Sequence, residues 1–474
     1  MRHPAPTDNT PTAVLSRRQR RAADWLWVAY ILVVCIGLPY IMPGVPFWTG
    51  RFGLLIVPLA AMVCYRYTAG YSIKGEFVLL SASMLLGAGI IANVWYYTTL
   101  SGGTDSAPVL VNADMHRTFE DALYYLGYNE HRSSITHSLY SVIIAGVLAV
   151  TGPSVTAGLL VNMACTLATL VCVSTLWVNV TGRRSDSWIA MLCTAAVCYL
   201  LASGTFLNKD AWTICAMSVA ATGLTRPSSP RMFMAVIVGA IMLFISRMNM
   251  LWALVAGIVI MWVFARAPLR HQGWTIAALA LIIAMYYYGR YEPGATPQTL
   301  MVISPSENIY VSYQADNQMA YYRLFGDYHD HGQFERLLLM PVSAIVQYLI
   351  PFPWNYARDT IFGLTEAYAH FGYPWYIFGA VLVYYMCAVW RRSPVMMRAL
   401  TLWAIFIWLI PCWCFGGTIS RYGLMAVPLM APAVAYTIKT STKRKSMRIY
   451  SLIFIILLAA TLIVCYHLHT VNQS

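Results

Sequence analysis

GTFLNKDAW, residues 204–212, sets a lysine and an aspartate side by side between two strongly apolar runs. The chain around it is 59% hydrophobic and only 10% charged. Charges in such a place need a reason. Three readings are open: a loop on the water side, a buried ion pair, or a site. The choice depends on how often the chain crosses a membrane before it reaches residue 204.

The 474 residues have a mean hydropathy of +0.60, and apolar runs of about 17–22 residues recur from residue 24 to residue 467. Such a pattern is that of an all-α polytopic membrane protein. The net charge of +13 does not point to nucleic acid, because the basic residues cluster at the ends of apolar runs, as topology signals do. All 11 cysteines lie within apolar segments and none has zinc-type spacing; Cys412 and Cys414 form C-x-C inside a run. They read as small buried hydrophobes. Arg17, Arg18, Arg20 and Arg21 precede a first run that ends at LPYIMPGVPFW with no small-residue cleavage pattern, so it reads as a retained span.

Candidate spans cover 24–43, 52–68, 77–96, 156–181, 187–204, 211–225, 232–247, 249–266, 273–289, 371–390, 397–414, 422–438 and 447–467. Two shorter runs, 135–151 and 338–352, decide the topology. If neither crosses, about 13 spans leave the N-terminus inside and the C-terminus outside, with 21 of the 31 Lys and Arg on the inner side. If both cross, Arg183, Arg184, Arg226, Arg231, Arg266 and Arg270 move outside in short loops, against the positive-inside rule. The two runs are therefore expected to be juxtamembrane helices lying in the outer leaflet.

With that topology 14 of the 18 acidic residues fall outside, mostly in segments 97–155 and 290–370. Acidic residues do not drive topology, so their concentration on one face points to chemistry there. Within the first segment SGGTDSAP is turn chemistry, and MHRTFEDALYYLG reads as a short amphipathic helix with Glu120 and Asp121 on its solvated face. The chain divides into a basic tail (1–23), two N-terminal spans (24–76), a module with the acidic outer loop (77–289), a long outer loop (290–370) and the C-terminal spans (371–474).

Asp210 then opens a span at its outer end beside Lys209; Arg247 ends one on the same face and Arg421 begins another. Charges near the hydrocarbon edge are costly unless paired or facing a wet cavity. Guanidinium groups hold phosphate oxygens, and a carboxylate takes a proton from an incoming hydroxyl. Each residue also has a plainer reading. Lys209 and Asp210 can cap a helix, Asp114 can be an N-cap, and Arg421 can be an interfacial anchor. His329 and His331 in DYHDHGQ read as solvated loop, and Trp354 in LIPFPW either contacts a sugar face or belongs to an aromatic belt.

The pattern over residues 77–440 resembles the GT-C superfamily of membrane glycosyltransferases, which includes protein O-mannosyltransferases and the enzymes that add aminoarabinose to lipid A. Four features carry the resemblance: the acidic loop DSAPVLVNADMHRTFEDALYYLG followed by HSLYSVIIAGVLAVTG, Asp210 opening a span, Arg247 ending the next outward span, and Arg421, Tyr422 and Pro428 in SRYGLMAVPLM. Two spans precede the one that normally comes first. The resemblance implies inverting transfer of a sugar from a polyprenyl-phosphate-linked donor to a glycan, lipid or protein acceptor at the periplasmic face of a bacterial inner membrane. It implies Asp114, then Asp105, as base, and Asp210 as a second acidic site. Arg421, Arg247 and Lys209 would hold the donor phosphate, and Tyr422, Trp354 and Glu307 would contact acceptor or sugar. No cofactor is required by it, though some relatives use Mg or Mn. A surface-polysaccharide polymerase or ligase working through Arg323, Arg336 and Arg358 is the neighbouring alternative, and a lipid-linked saccharide flippase the third.

Overall fold

The computed structural model describes residues 17–32, 52–100, 102–108, 110, 113–129, 139–226, 230–247, 250–266, 333–349, 373–415, 420–441, 449–450, 452–453 and 456. Among them the regular elements are all helical, with no strand. The predicted spans 273–289 and most of 447–467 lie outside the described residues, as do Glu307, His329, His331 and Trp354. The chain forms two compact units, 1–222 and 223–474.

The first unit holds α1 (Arg17–Leu32), α2 (Phe52–Arg66), α3 (Ile73–Trp95, continued by a π-helical turn over Tyr96–Leu100), α4 (Ala113–Tyr125), α5 (Tyr140–Thr151), α6 (Val155–Thr181), α7 (Ser187–Ala195), α8 (Cys198–Ser203) and the start of α9 (Asp210–Leu224). Local chemistry sets several ends. Ser72 and Ser154 accept the N–H of Gly75 and Ala157, each capping a helix start. Gly182, at φ +71°, stops α6 in the left-handed region, its N–H donating to the Val178 carbonyl.

Two helical stretches, Ile73–Thr98 and Val155–Thr181, are long and apolar enough to cross a membrane. Helix α6 is the hub, packed by α2, α3, α5 and α7. Its C-terminal end meets the turn after α2: Ser187 Oγ and Tyr65 Oη both donate to the Gly70 carbonyl, and Gly70 lies against Ser174. The basic residues Arg66, Lys74, Arg183 and Arg184 belong to this end. Arg66 pairs with the buried Glu76, which also accepts from Tyr71 Oη, and Lys74 sits 5.1 Å over the Trp188 ring.

The opposite end of α6 is closed by Asp105, whose backbone carbonyl accepts the Val155 N–H at 2.9 Å. Residues 105 and 155 thus meet at one level. The chain between them crosses the bundle an even number of times or not at all. Helix α5, with 12 residues, is about 18 Å long, well short of the roughly 30 Å of a hydrocarbon core.

The predicted span 187–204 is corrected. It is broken into α7 and α8 at Ala196 and Val197, where Val197 leaves helical geometry (φ −76°, ψ 85°). No Gly or Pro marks the break. The short α8 lets the following loop turn back into the bundle.

The second unit holds α10 (Pro230–Arg247), α11 (Met250–Arg266), α12 (Gln333–Leu349), α13 (Tyr373–Tyr384, extended by a π-helical turn over Tyr385–Val389 and a 3-10 turn over Trp390–Arg392), α14 (Val395–Phe415) and α15 (Val427–Thr440, preceded by a 3-10 stretch over Ser420–Ala426). Helices α11 and α14 pack most closely: Trp403 Nε1 donates to the Ala253 carbonyl at 2.7 Å, and a Cβ on Gly257 would lie 2.2 Å from the Trp403 ring. Gly257→Val is expected to lower stability by about 1–3 kcal/mol, because a buried indole cannot yield as a flexible chain end can. A thermal melt of the purified variant matching the parent would refute the packing.

Both units expose large apolar side chains and bury small polar ones within a largely apolar core. Val63 and Leu85 in the first unit and Phe233 and Trp252 in the second face outward, whereas Asn162 and Ser174 in the first and Thr401 and Thr437 in the second are buried. Soluble monomers rarely expose contiguous apolar faces, and small polar residues between helices are the packing of a bundle in lipid.

Candidate functional site

The loop between α8 and α9 is sunk into the first unit and is not a surface turn. Leu207 is fully buried, lying where a Cβ on Gly158 would come within 2.8 Å of it, and Gly89 of α3 makes similar room for Thr205. Non-helical backbone inside a bundle needs its carbonyls satisfied by protein. Two asparagines do this. Asn93 Nδ2 of α3 donates to the Thr205 carbonyl at 2.8 Å. Asn162 Nδ2 of α6 donates to the carbonyls of Phe206 and Asn208, and Asn162 Oδ1 accepts from Tyr140 Oη of α5 at 2.7 Å. Burial pushes the Tyr140 hydroxyl well up, and the nearby charge of Asp210 adds to this, so it remains a donor.

The loop ends by capping α9. Asn208 Oδ1 accepts the Asp210 N–H at 3.1 Å, and the Lys209 carbonyl accepts both the N–H and the hydroxyl of Thr213. Asp210 itself is 2% exposed, and Lys209 is half-buried. Residues 204–212 thus form a buried re-entrant turn that delivers a carboxylate to a helix start.

Asp105 lies at the same end of α6. Its Oδ1 accepts the N–H and hydroxyl of Thr156 at 3.1 and 2.7 Å, and its Oδ2 accepts from Ser154 Oγ at 2.5 Å. A carboxylate with three donors on it is a brace for the start of α6 and has little lone-pair capacity left to take a proton. Asp114 is the second residue of α4, in its first turn and not before it; its side chain lies outside the described residues. Helix α4 is anchored by Met115, Phe119 and Ala122, with Tyr97 Oη donating to Met115 Sδ. Of the two acids read as solvated, Glu120 pairs with His116 at 2.9 Å and stays partly exposed, but Asp121 is buried. Next to Ala122 in sequence, it is turned about 100° around the helix from the Met115–Phe119–Ala122 stripe, which is why helical phase reads it as solvated.

The first unit therefore brings Asp105 and Asp210 to one end of α6, the end opposite Arg66, Lys74, Arg183 and Arg184. Arg247, the last residue of α10, and Arg421 and Tyr422, in the 3-10 stretch before α15, belong to the second unit. The side chains of Arg421 and Tyr422 lie outside the described residues. Among the described residues no three His, Cys, Asp or Glu side chains converge as metal ligands, and Asp105 is already saturated with donors. The described residues do not fit a resident Mg or Mn. Asn93, Asn162 and Tyr140 were missed by the sequence reading. The signal was present: an asparagine inside each of two apolar runs, near the end of one and the start of the other.

Compared with known protein families, curated proteins and solved structures, the chain matches none.

Proposed function

We propose that the protein is a membrane glycosyltransferase of GT-C-like design, crossing a bacterial inner membrane about 13 times with its N-terminus inside. It would transfer a sugar from a polyprenyl-phosphate donor to an acceptor at the outer face. The observation that carries the reading is Asp210, held almost fully buried at the mouth of a re-entrant turn beside Lys209, at the end of the first unit opposite Arg66, Lys74, Arg183 and Arg184. The exposed apolar side chains of the helices support the membrane, and the basic end at Arg66, Lys74, Arg183 and Arg184 supports its orientation.

In this reaction the acceptor oxygen attacks the anomeric carbon as the bond to the phosphate oxygen breaks, inverting the centre. The acceptor proton passes to a carboxylate. Asp114 is assigned this role because Asp105 is committed as a brace. Arg247, Arg421 and Lys209 hold the leaving polyprenyl phosphate by charge. Asp210 would orient the group facing the re-entrant turn, and contacts to acceptor or sugar are assigned to Tyr422, Trp354 and Glu307.

The test is turnover of a radiolabelled polyprenyl-phosphate sugar in membranes. Asp114→Asn is expected to lose roughly 10²-fold, the scale of a lost general base. Full activity in that variant would overturn the assignment. Loss on replacing Arg323, with both Asp114 and Asp210 dispensable, would replace the reading with a polysaccharide polymerase.

A further inference from the structure

Residues 367–474 contain nine lysines and arginines and no aspartate or glutamate. One of the nine, Arg398, is buried to 2% exposure in the first turn of α14, and its Nε has no hydrogen-bond partner. Among the described residues it makes no ion pair. A buried charge without a counter-charge is strongly unfavourable, so an anion from outside this part of the chain is called for.

The surroundings are built for one. Helical side chains lean toward the N-terminus, which carries the Arg398 side chain back over Ser393 and Pro394 toward Tyr385, the titratable neighbour its charge acts on. Tyr385 Oη and Ser393 Oγ lie 2.8 Å apart there, and Ser393 Oγ donates to the Trp390 carbonyl, so the pair fixes the wall of the corner and leaves the anion to the guanidinium. The 21-residue helix α14 adds the positive end of its dipole. Arg391 and Arg392 stand exposed beside it, and the Tyr436 hydroxyl donates to the Arg392 carbonyl, bringing the end of α15 with Lys439 to the same corner. Met386 and Ile438 present exposed apolar surface next to these cations.

We propose that this corner binds the phosphate of an anionic membrane lipid, with Arg398 as the buried contact, Arg391 and Arg392 as the outer clamp, and Met386 and Ile438 against the acyl chains. The inference rests on the membrane reading above. With the orientation given there, the corner lies at the cytoplasmic leaflet, where anionic lipid is presented to basic residues.

The test uses the full chain in detergent, titrated with phosphatidylglycerol, with phosphatidylcholine and with inorganic phosphate, reading bound lipid by native mass spectrometry and the thermal midpoint. The parent is expected to retain phosphatidylglycerol about tenfold better than phosphatidylcholine, a preference of about 1.4 kcal/mol. Arg398→Gln is expected to lose that preference. Arg391→Gln with Arg392→Gln, both at exposed positions, is expected to weaken it in a protein that still folds. Equal retention of the two lipids by the parent, or an unchanged preference in both variants, would overturn the proposal. So would stabilisation by inorganic phosphate alone, which would assign the corner to a soluble anion. Carbonate extraction of cell membranes tests the membrane reading separately: a parent released by carbonate sinks that reading whatever lipid is bound.

Discussion

Asn162→Leu is expected to cost about 3–6 kcal/mol and to leave little folded protein. The isobutyl chain fills similar space, so the loss is one of hydrogen bonds. The carbonyls of Phe206 and Asn208 and the hydroxyl of Tyr140 each lose their bond to this one side chain, in a place where water cannot replace it. At about 1–2 kcal/mol for each buried polar group left without that partner, the sum approaches the stability of a typical domain. Asn162→Asp keeps the acceptor for Tyr140 but turns a buried carboxylate oxygen toward two carbonyl oxygens, so it should be no more stable than the leucine variant. Monodispersity in detergent and the thermal midpoint read the outcome. A leucine variant that melts with the parent would show that the re-entrant turn is not held as described.

Arg66→Met ranks second, at about 3–5 kcal/mol, the scale of breaking a buried ion pair by removing one partner. Glu76 is 1% exposed and Arg66 is 41% exposed, so the burden falls on the carboxylate that is left behind. Tyr71 Oη at 3.1 Å is then one of few donors to it. Adding Glu76→Leu to Arg66→Met should restore much of the loss, because the pair as a whole is worth far less than either half alone. If the double variant is no more stable than the single, the Arg66–Glu76 contact is not what holds the turn after α2.

Much of the fold was legible because long apolar helices announce themselves by length and hydropathy. Helices α3, α6, α9, α10 and α11 begin and end within a few residues of the expected positions. The break between α7 and α8 was not legible. It obeys no turn chemistry of its own, and the unwound loop that follows α8 is held only because Asn93 and Asn162, from helices far apart in sequence, satisfy the carbonyls of Thr205, Phe206 and Asn208. Propensity cannot register a partner 112 residues away. Asp210 was legible as a charge out of place, but its burial was not. The side of the chain on which it lay could be argued from charge counting, whereas the depth at which it lay depends on Gly89 and Gly158 making room for Thr205 and Leu207. Asp105 illustrates the converse. Turn residues around it suggested an exposed loop, yet Ser154 and Thr156 across a gap of about fifty positions draw it in.

The meeting of Asp105 with Val155 has a consequence for how this protein can change. The two ends of that stretch are tied by a backbone hydrogen bond and a capped helix start, and its helices α4 and α5 are themselves seated in the bundle by Met115, Phe119 and Tyr140. With both flanks fixed, insertions between residues 129 and 139 should leave the register of the bundle helices unchanged, because loop length enters closure entropy only logarithmically. That short interval, and not the whole stretch from 106 to 153, is where this architecture is best prepared to accept foreign sequence.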